Sequence, residues 1–219
     1  MTEAEKVTKW SNVLWESMGN IHKAGLETEA IIAELEKQLE AINSPFTYEY
    51  TDGDDTKEYL GNPAFYFWGT LKGKDKRTKL GHLTYGFSFW QDHDEMGEAW
   101  AGAHQAKVYV GYDTPAPDGG GWGQEDLFIR GNRTSSEGAE KCPSSDFLWE
   151  YVEKGGKTEE FPWCKRQWFY AVPLGAINTP EDVARNLINP VVALLSEKKP
   201  KFEETGAYSF SDLSDNTTK

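Results

Sequence analysis

The residues of this chain that could bind a metal ion are most concentrated in WQDHDEMGEAWAGAHQ, residues 90–105. Carboxylates and imidazoles are common ligands of divalent cations, and a bound cation can activate water for hydrolysis. The spacing matches none of the specific zinc or calcium motifs, so a hydrophilic connection between strands is the favoured interpretation. The alternative is a metal-dependent hydrolase or nuclease that uses the 92–98 cluster, with Asp92, His93, Asp94 and Glu95 as its weak candidate ligands.

Signatures of catalysis are missing elsewhere in the sequence. There is no G-x-S-x-G nucleophile motif, no P-loop and no dinucleotide-binding fingerprint. Cys142 and Cys164 form no C-x-x-C pair and match no catalytic cysteine signature, which predicts structural thiols in a reducing compartment. These observations favour a protein that is not an enzyme and that needs no cofactor.

Basic residues stand close together in an otherwise acidic chain at positions 72–79, here called the basic turn. A hairpin turn is the favoured interpretation, because charged residues keep a hairpin end solvated and oppose edge-to-edge aggregation. The alternative is a site for a small molecule or nucleotide, in which the turn neutralises a phosphate and nearby rings stack on the ligand. The residues of that candidate site are Tyr66, Trp68, Lys72, Lys74, Lys76, Arg77, Lys79 and Trp122.

The formal net charge of −13 restricts the classes of partner. Binding to phosphate backbones and anionic lipids depends on Lys and Arg, so this charge argues against general affinity for nucleic acid or membranes. The sequence contains no apolar run of about 18 residues and no secretion signal, which predicts a cytoplasmic protein. The leading interpretation is a non-catalytic binding protein whose acidic surface contacts a basic protein partner, with inhibition by imitation of nucleic acid as one version. Assembly into a homo-oligomer stays open.

Two apolar stripes at helical spacing predict a helical hairpin over residues 1–43. Thr2 and Glu5 form a capping-box pattern before the first stripe, Gly25 interrupts the pattern, and Pro45 follows the second stripe. A stripe of this kind serves as core contact or as a dimer seam, and core packing is favoured. The stripes consist of Val7, Trp10, Leu14, Met18 and Ile21, and then of Ile31, Leu35, Leu39 and Ile42.

From residue 46 onward the period of the apolar residues changes to two, which predicts strands. The connections are short, so a mostly antiparallel sheet of about five to six strands is expected within residues 46–175. The predicted strands lie at 46–50, 64–71, 82–90, 107–112, 126–129 and 166–175, the last buried on both faces. Residues 144–156 favour a short helix, and the glycine-rich residues 113–125 favour a loop.

The pairing register of strand 64–71 with strand 82–90 is left open. In the second strand Leu83, Tyr85 and Phe87 share one apolar face. A one-residue shift decides whether positions 65 and 67 or positions 66 and 68 of the first strand join that face. The remaining ring pair then covers Gly86, lies under a helix, or forms an exposed stacking platform.

Thr179 and Pro180 stand at the preferred cap and first-turn positions of a helix over residues 180–198, which Pro190 is expected to kink. Residues 203–219 lack periodicity and predict a flexible tail, unless the tail docks through Tyr208, Phe210 and Leu213. The combined prediction is a single α+β domain over residues 1–202, in which the hairpin and the C-terminal helix pack on the sheet.

Overall fold

The described part of the chain is built on one antiparallel sheet. The structure is a computed structural model that describes residues 3–42, 46–53, 64–73, 75, 77–89, 106–113, 140–141, 146–152 and 166–209. Its strands are Phe46–Gly53 (β1), Ala64–Gly73 (β2), Lys79–Ser88 (β3), Lys107–Asp113 (β4), Glu140–Lys141 (β5), Trp149–Val152 (β6) and Arg166–Pro173 (β7). Within the described residues these seven strands pair in the order β1-β2-β3-β4-β7-β6-β5. The prediction of an antiparallel α+β fold is confirmed.

Strand β7 lies beside β4 near the centre of the sheet. Trp168, Tyr170 and Val172 of β7 belong to the core on one side, and Phe169 and Ala171 on the other side are also buried. The prediction that this strand is buried on both faces is therefore confirmed. The predicted strand at 126–129 and the predicted loop at 113–125 fall outside the described residues, apart from Asp113 at the end of β4.

The short helix predicted for residues 144–156 is wrong where the structure describes this segment. Residues 149–152 form β6, which pairs with β7 through Trp149 opposite Phe169 and Val152 opposite Arg166. A four-residue segment with three apolar residues, such as Trp149–Val152, fits a helix or a strand equally well by periodicity. The backbone groups along β7 provide hydrogen-bonding partners, so sheet pairing decides the conformation here.

The pairing of β2 with β3 fixes the register that the sequence left open. Phe67 is opposite Tyr85, whereas Tyr66 is opposite Gly86. Directly opposed residues share a face, so positions 65 and 67 belong to the face of Tyr85. The register shifts between Leu71 and Lys72, and the Tyr112 hydroxyl donates a 2.9 Å hydrogen bond to the carbonyl of Leu80 at this irregularity.

The main core lies between one face of the sheet and the helices. Its sheet side includes Leu83, Tyr85, Phe87, Val108 and Val110, all with no exposed surface. Rings continue the core across β4 and β7: Trp168 stacks on Tyr112 at a centroid distance of 5.3 Å. The helical side of this core is supplied by Leu35, Leu39, Val183, Leu187, Val191 and Leu194.

Helix α1 is one continuous helix, Glu3–Ala41, of 39 residues. The predicted hairpin is therefore not formed, since no break occurs at Gly25. A single glycine costs a helix only about 1 kcal/mol relative to alanine, and no proline interrupts residues 3–41. Gly25 marks a different boundary: it is the first buried residue of α1 among those whose side chains are described, and residues 9–23 before it are all exposed.

The C-terminal helical segment begins as the sequence predicts. Thr179 is the N-cap of α2 (Pro180–Val183), its hydroxyl accepts a hydrogen bond from the Asp182 amide, and Pro180 opens the first turn. The Asp182 carboxylate accepts in return from the Thr179 amide at 3.1 Å. These reciprocal bonds complete a capping box.

The helix that contains Pro190 is interrupted by a π-helical turn, which is a larger change than the predicted kink. A π-helical turn, Ala184–Ile188, separates α2 from α3 (Asn189–Leu195) and lies directly before the proline. Pro190 has no N–H, so the α-helical bond from residue 190 to the carbonyl of Asn186 cannot form. The buried Tyr170 hydroxyl donates to that carbonyl at 3.0 Å, and the Tyr85 hydroxyl donates to the carbonyl of Leu187 at 3.3 Å.

Residues 202–209 pack against the sheet and the C-terminal helical segment, which together with residues 25–41 of α1 are here called the body. Phe202 is buried and meets Tyr170 edge-on at a centroid distance of 5.1 Å. The Gly206 amide donates to the side-chain oxygen of Asn186 at 2.9 Å, and the Tyr208 amide donates to the carbonyl of Ala171 at 2.9 Å. Docking through Tyr208, Phe210 and Leu213 stays a prediction, since the contact described for Tyr208 is made by its backbone amide. Phe210 and Leu213 lie outside the described residues, and tail flexibility stays a prediction.

We expect Tyr170→Phe to lower the free energy of unfolding by about 1–3 kcal/mol, because it leaves the buried Asn186 carbonyl without this donor. Urea unfolding followed by circular dichroism measures the effect. Tyr50→Phe is the matched control, since Tyr50 is 53% exposed and its variant should change the free energy by less than about 0.5 kcal/mol. Equal effects of the two substitutions would contradict this role of the Tyr170 hydroxyl.

Candidate functional site

The first candidate surface is the N-terminal half of α1, residues 9–23, here called the arm. Its side chains are all exposed, including large apolar ones: Trp10 is 68% and Trp15 is 82% exposed. Leu14, Met18 and Ile21 occupy the face that continues as buried Gly25 and Thr28. The favoured assignment of the stripe to core packing therefore holds only for the second half of α1. The first half has the composition of a contact surface, and its side chains stay exposed beside the part of the chain that the structure describes.

The second candidate surface is a groove of about 620 Å³ between α1 and residues 174–183. Glu27 and Glu34 of α1 line it and stand seven residues apart, or two helical turns, so they lie on the same side of the helix. Thr28 lies between them and is fully buried. The apolar lining of the groove consists of Ala24, Ile31, Ala106, Leu174, Ile177 and Val183.

Hydrogen bonds hold the two walls of the groove together. The Gln38 amide group donates to the Glu34 carboxylate at 2.8 Å and to the carbonyl of Pro180 on the opposite wall at 2.9 Å. The bonds from Gln38 and from Lys37 lower the pKa of Glu34 below its usual value, so this carboxylate is charged at neutral pH. The groove is therefore preformed, its lining is mostly apolar, and it carries negative charge at its edge.

The second wall of the groove is fixed from within. The Asn178 side chain donates to the carbonyl of Gly175 at 2.8 Å, and the Asn178 amide donates to the Asp182 carboxylate at 3.1 Å. The hydrogen bond from the Asn178 amide is the largest cause of the lowered pKa of Asp182. Arg185 also forms an ion pair with this carboxylate. These contacts leave the backbone of residues 174–183 little freedom to close the groove.

The basic turn is organised as a turn. The Asp75 carboxylate accepts hydrogen bonds from the amides of Arg77 and Thr78 at 3.0 and 2.9 Å, and these bonds lower the pKa of Asp75, that from Thr78 most. Lys72 is engaged in an ion pair with Glu49 of β1. Arg77 is exposed. The described residues of the segment support the turn interpretation, and whether its cations meet around one point stays a prediction, because Lys74, Lys76 and the Lys79 side chain are not among them.

The other predicted site residues are located only in part. Tyr66 and Trp68 lie in β2, opposite Gly86 and Thr84, and Lys79 opens β3. Lys74, Lys76, Trp122, Asp92, His93, Asp94 and Glu95 fall outside the described residues, as do Cys142 and Cys164. Within the described ranges, no group of three His, Cys, Asp or Glu side chains could hold a metal ion. In that same part of the chain, no helix is both long and apolar enough to cross a membrane.

The sheet face opposite the main core is also buried at its centre. Thr84, Tyr109 and Phe169 on this face are at most 5% exposed, although the sequence predicted only one dry face for strand 82–90. Lys107 lies on the same face and is 1% exposed. Burial lowers the pKa of its ammonium group to about 8, because the charged form loses hydration.

The sequence analysis missed both the groove and the burial of Lys107. The seven-residue spacing of Glu27 and Glu34 is visible in the sequence, but the opposite wall comes from residues 174–183 and requires the tertiary fold. Lys107 alternates with Val108 and Val110, a pattern that is typical of a strand with one solvated face. The burial of the second face, which appears only in the folded structure, overturns the expectation that Lys107 is solvated.

Comparison with known proteins gives no relative: no protein-family model matches the chain, and neither curated proteins nor solved structures show a significant match. The function must therefore be argued from the surfaces themselves.

We expect the free energy of unfolding to rise with pH between about 8 and 10 because of Lys107. The pKa of this group is about 8 in the folded chain and 10.5 as its ordinary value, so the unfolded chain binds more protons in this interval. Above about pH 10 the effect is opposed, because buried Tyr85 and Tyr170 have raised pKa values and their unfolded forms lose protons first.

Urea unfolding at pH 7, 8, 9 and 10 measures this rise, which should be on the order of 2 kcal/mol. Lys107→Met should abolish it. Lys37→Met, at a position whose side chain is 73% exposed, should leave it unchanged. Parallel pH profiles for the wild type and Lys107→Met would show that Lys107 is not the titrating group.

Proposed function

We propose that this protein is a non-catalytic binding protein that holds a basic segment of another protein through acidic surface contacts. The observation that carries the proposal is the groove between α1 and residues 174–183, with its apolar lining and two carboxylates from Glu27 and Glu34. A cytoplasmic location is part of the same proposal.

The chemistry of the groove suits Lys and Arg side chains. Both have an apolar stem that packs on hydrocarbon and a cationic end that stays hydrated or pairs with a carboxylate. The stem would lie on Ala24, Ile31 and Ile177, and the cationic end would reach Glu27 at the edge, or Glu34 in competition with Lys37, which pairs with it at 2.9 Å. Since both carboxylates contact solvent, each pair contributes modestly, and affinity requires several basic residues in one segment.

The net charge of −13 supports the same choice of partner. A strongly acidic protein attracts basic partners over distances near the Debye length and speeds their association. Inhibition of a nucleic-acid enzyme by imitation of its polyanionic substrate is one form of this function.

The two alternative functions receive less support from the described residues. A nucleotide site at the basic turn would need several cations around one phosphate, and two of them, Lys74 and Lys76, lie outside the described residues. A metal-dependent hydrolase would depend on residues 92–98, which lie outside the described residues. Both stay predictions from the sequence.

We expect the double variant Glu27→Gln with Glu34→Gln to bind a Lys/Arg-rich peptide about 2- to 30-fold more weakly than the wild type, because two surface ion pairs are lost. Isothermal titration calorimetry with the full chain measures the dissociation constant. Wild-type affinity should also fall as NaCl rises from about 50 to about 300 mM.

The matched control is Glu16→Gln with Glu29→Gln, which removes the same charge from exposed positions of α1 that do not line the groove. Its affinity should lie close to that of the wild type. Equal weakening by both double variants would assign binding to net charge alone, and an unchanged affinity in the groove variant would overturn the groove as the site.

A further inference from the structure

We propose that the arm is a self-association surface, which pairs in antiparallel orientation with the arm of a second copy. This inference is independent of the groove and of its basic partner. It assigns an occupant to the apolar face of residues 9–23, which packs on no described part of its own chain.

The size of the apolar surface fits a stable interface. Trp10, Leu14, Met18 and Ile21 lie within one narrow stripe at about 100° per residue, and Val13 and Trp15 flank it on either side. Their exposed fractions range from 40% for Ile21 to 82% for Trp15. At roughly 200 Å² of surface per large apolar side chain, the six residues offer roughly 700 Å² per copy, close to the ~800 Å² that each partner contributes to a standard interface.

Charge selects a second copy over the basic partner. Residues 3–23 contain three acidic and three basic residues, Glu3, Glu5, Glu16, Lys6, Lys9 and Lys23, whereas the whole chain has a net charge of −13. Residues 3–23, which contain the arm, are therefore electrically balanced and give a basic protein no net attraction. Two such segments meet without net repulsion.

The acidic bodies select the antiparallel orientation. The body begins at Gly25, where α1 becomes buried. In a parallel pair the Gly25 residues of the two copies, where the acidic bodies begin, would lie about 8–10 Å apart, the usual distance between packed helices. In an antiparallel pair centred on Leu14 they lie about 33 Å apart, from the rise of 1.5 Å per residue, which is several Debye lengths at physiological salt.

Side-chain sizes fit the same register. With Leu14 at the symmetry centre, Trp10 comes level with Met18 of the second copy, and Ser17 of the second copy lies one residue from that level, on the same side of the seam as Trp10. On the other side of the seam, Ser11 of the second copy lies one residue from the level of Met18. Alternation of large and small residues across a helical interface allows close packing, whereas a parallel register would set each indole against its own equivalent.

Sedimentation equilibrium of the full chain between about 1 and 100 μM tests the proposal. The wild type should show a concentration-dependent dimer. Leu14→Glu places like charges at the symmetry centre and should raise the dissociation constant at least ~100-fold. Asn12→Glu adds the same charge on the opposite face of the arm and should leave the dimer intact.

Circular dichroism of both variants should match the wild type at monomeric concentrations, because positions 12 and 14 are both exposed. A wild type that stays monomeric to 100 μM, or equal effects of Leu14→Glu and Asn12→Glu, would overturn the proposal. Either result would leave peptide binding at the groove unaffected, so the two proposals fail separately.

Spin labels distinguish the orientation. In a chain with Cys142→Ser, Cys164→Ser and Lys23→Cys, electron paramagnetic resonance should give a separation of about 27 Å or more in the dimer, since position 23 lies nine residues from Leu14. A separation below about 20 Å would identify a parallel pair and overturn the antiparallel arrangement.

Discussion

The C-terminal helical segment is held on the sheet by two buried hydroxyl groups, one of which replaces a helical hydrogen bond. Pro190 removes the α-helical donor for the Asn186 carbonyl, and that carbonyl lies in the core, away from water. Tyr170 of β7 supplies a donor to it at 3.0 Å, and Tyr85 of β3 donates to the next carbonyl. Burial raises the pKa of both tyrosines well above the usual value, so the hydroxyls keep their protons. The proline thus fixes the C-terminal helical segment on these two strands.

The same turn positions the other parts of the molecule. The Asn186 side chain donates to the carbonyl of Ala176 at 3.0 Å and accepts from the Gly206 amide, so it joins the groove wall to the docked residues 202–209. From that wall, the Pro180 carbonyl accepts from Gln38 of α1. A few hydrogen bonds therefore link α1 to the turn before Pro190, in addition to the core packing of Leu35 and Leu39.

Local sequence signals predicted the parts of this fold that are determined by the periodicity or the capping residues of a single segment. Alternation located β1 to β4 and β7, and Thr179 with Pro180 located the start of α2. These local signals failed where tertiary contacts determine the conformation. Gly25 predicted a break but lies inside a continuous helix. Residues 149–152 were predicted to be helical but pair with β7. The groove was beyond prediction because Glu27 and Ile177 are brought together only by the packing of α1 on the sheet.

The two halves of α1 carry apolar residues at the same spacing, so their difference in burial shows what packing contributes to helix stability. Leu35 and Leu39 are buried, and each full burial stabilises the fold by about 1.5–3 kcal/mol. Leu14 and Met18 repeat the same spacing without that gain, and an isolated helix of this length is marginally stable in water.

An antiparallel partner would supply the missing burial to the arm and would also set two acidic grooves at opposite ends of the pair. A basic partner with two cationic segments could then occupy both grooves, and its second contact would form at the effective concentration set by their separation. Weak ion pairs at each exposed groove would in that way add up to firm binding, without requiring a strong contact at either one.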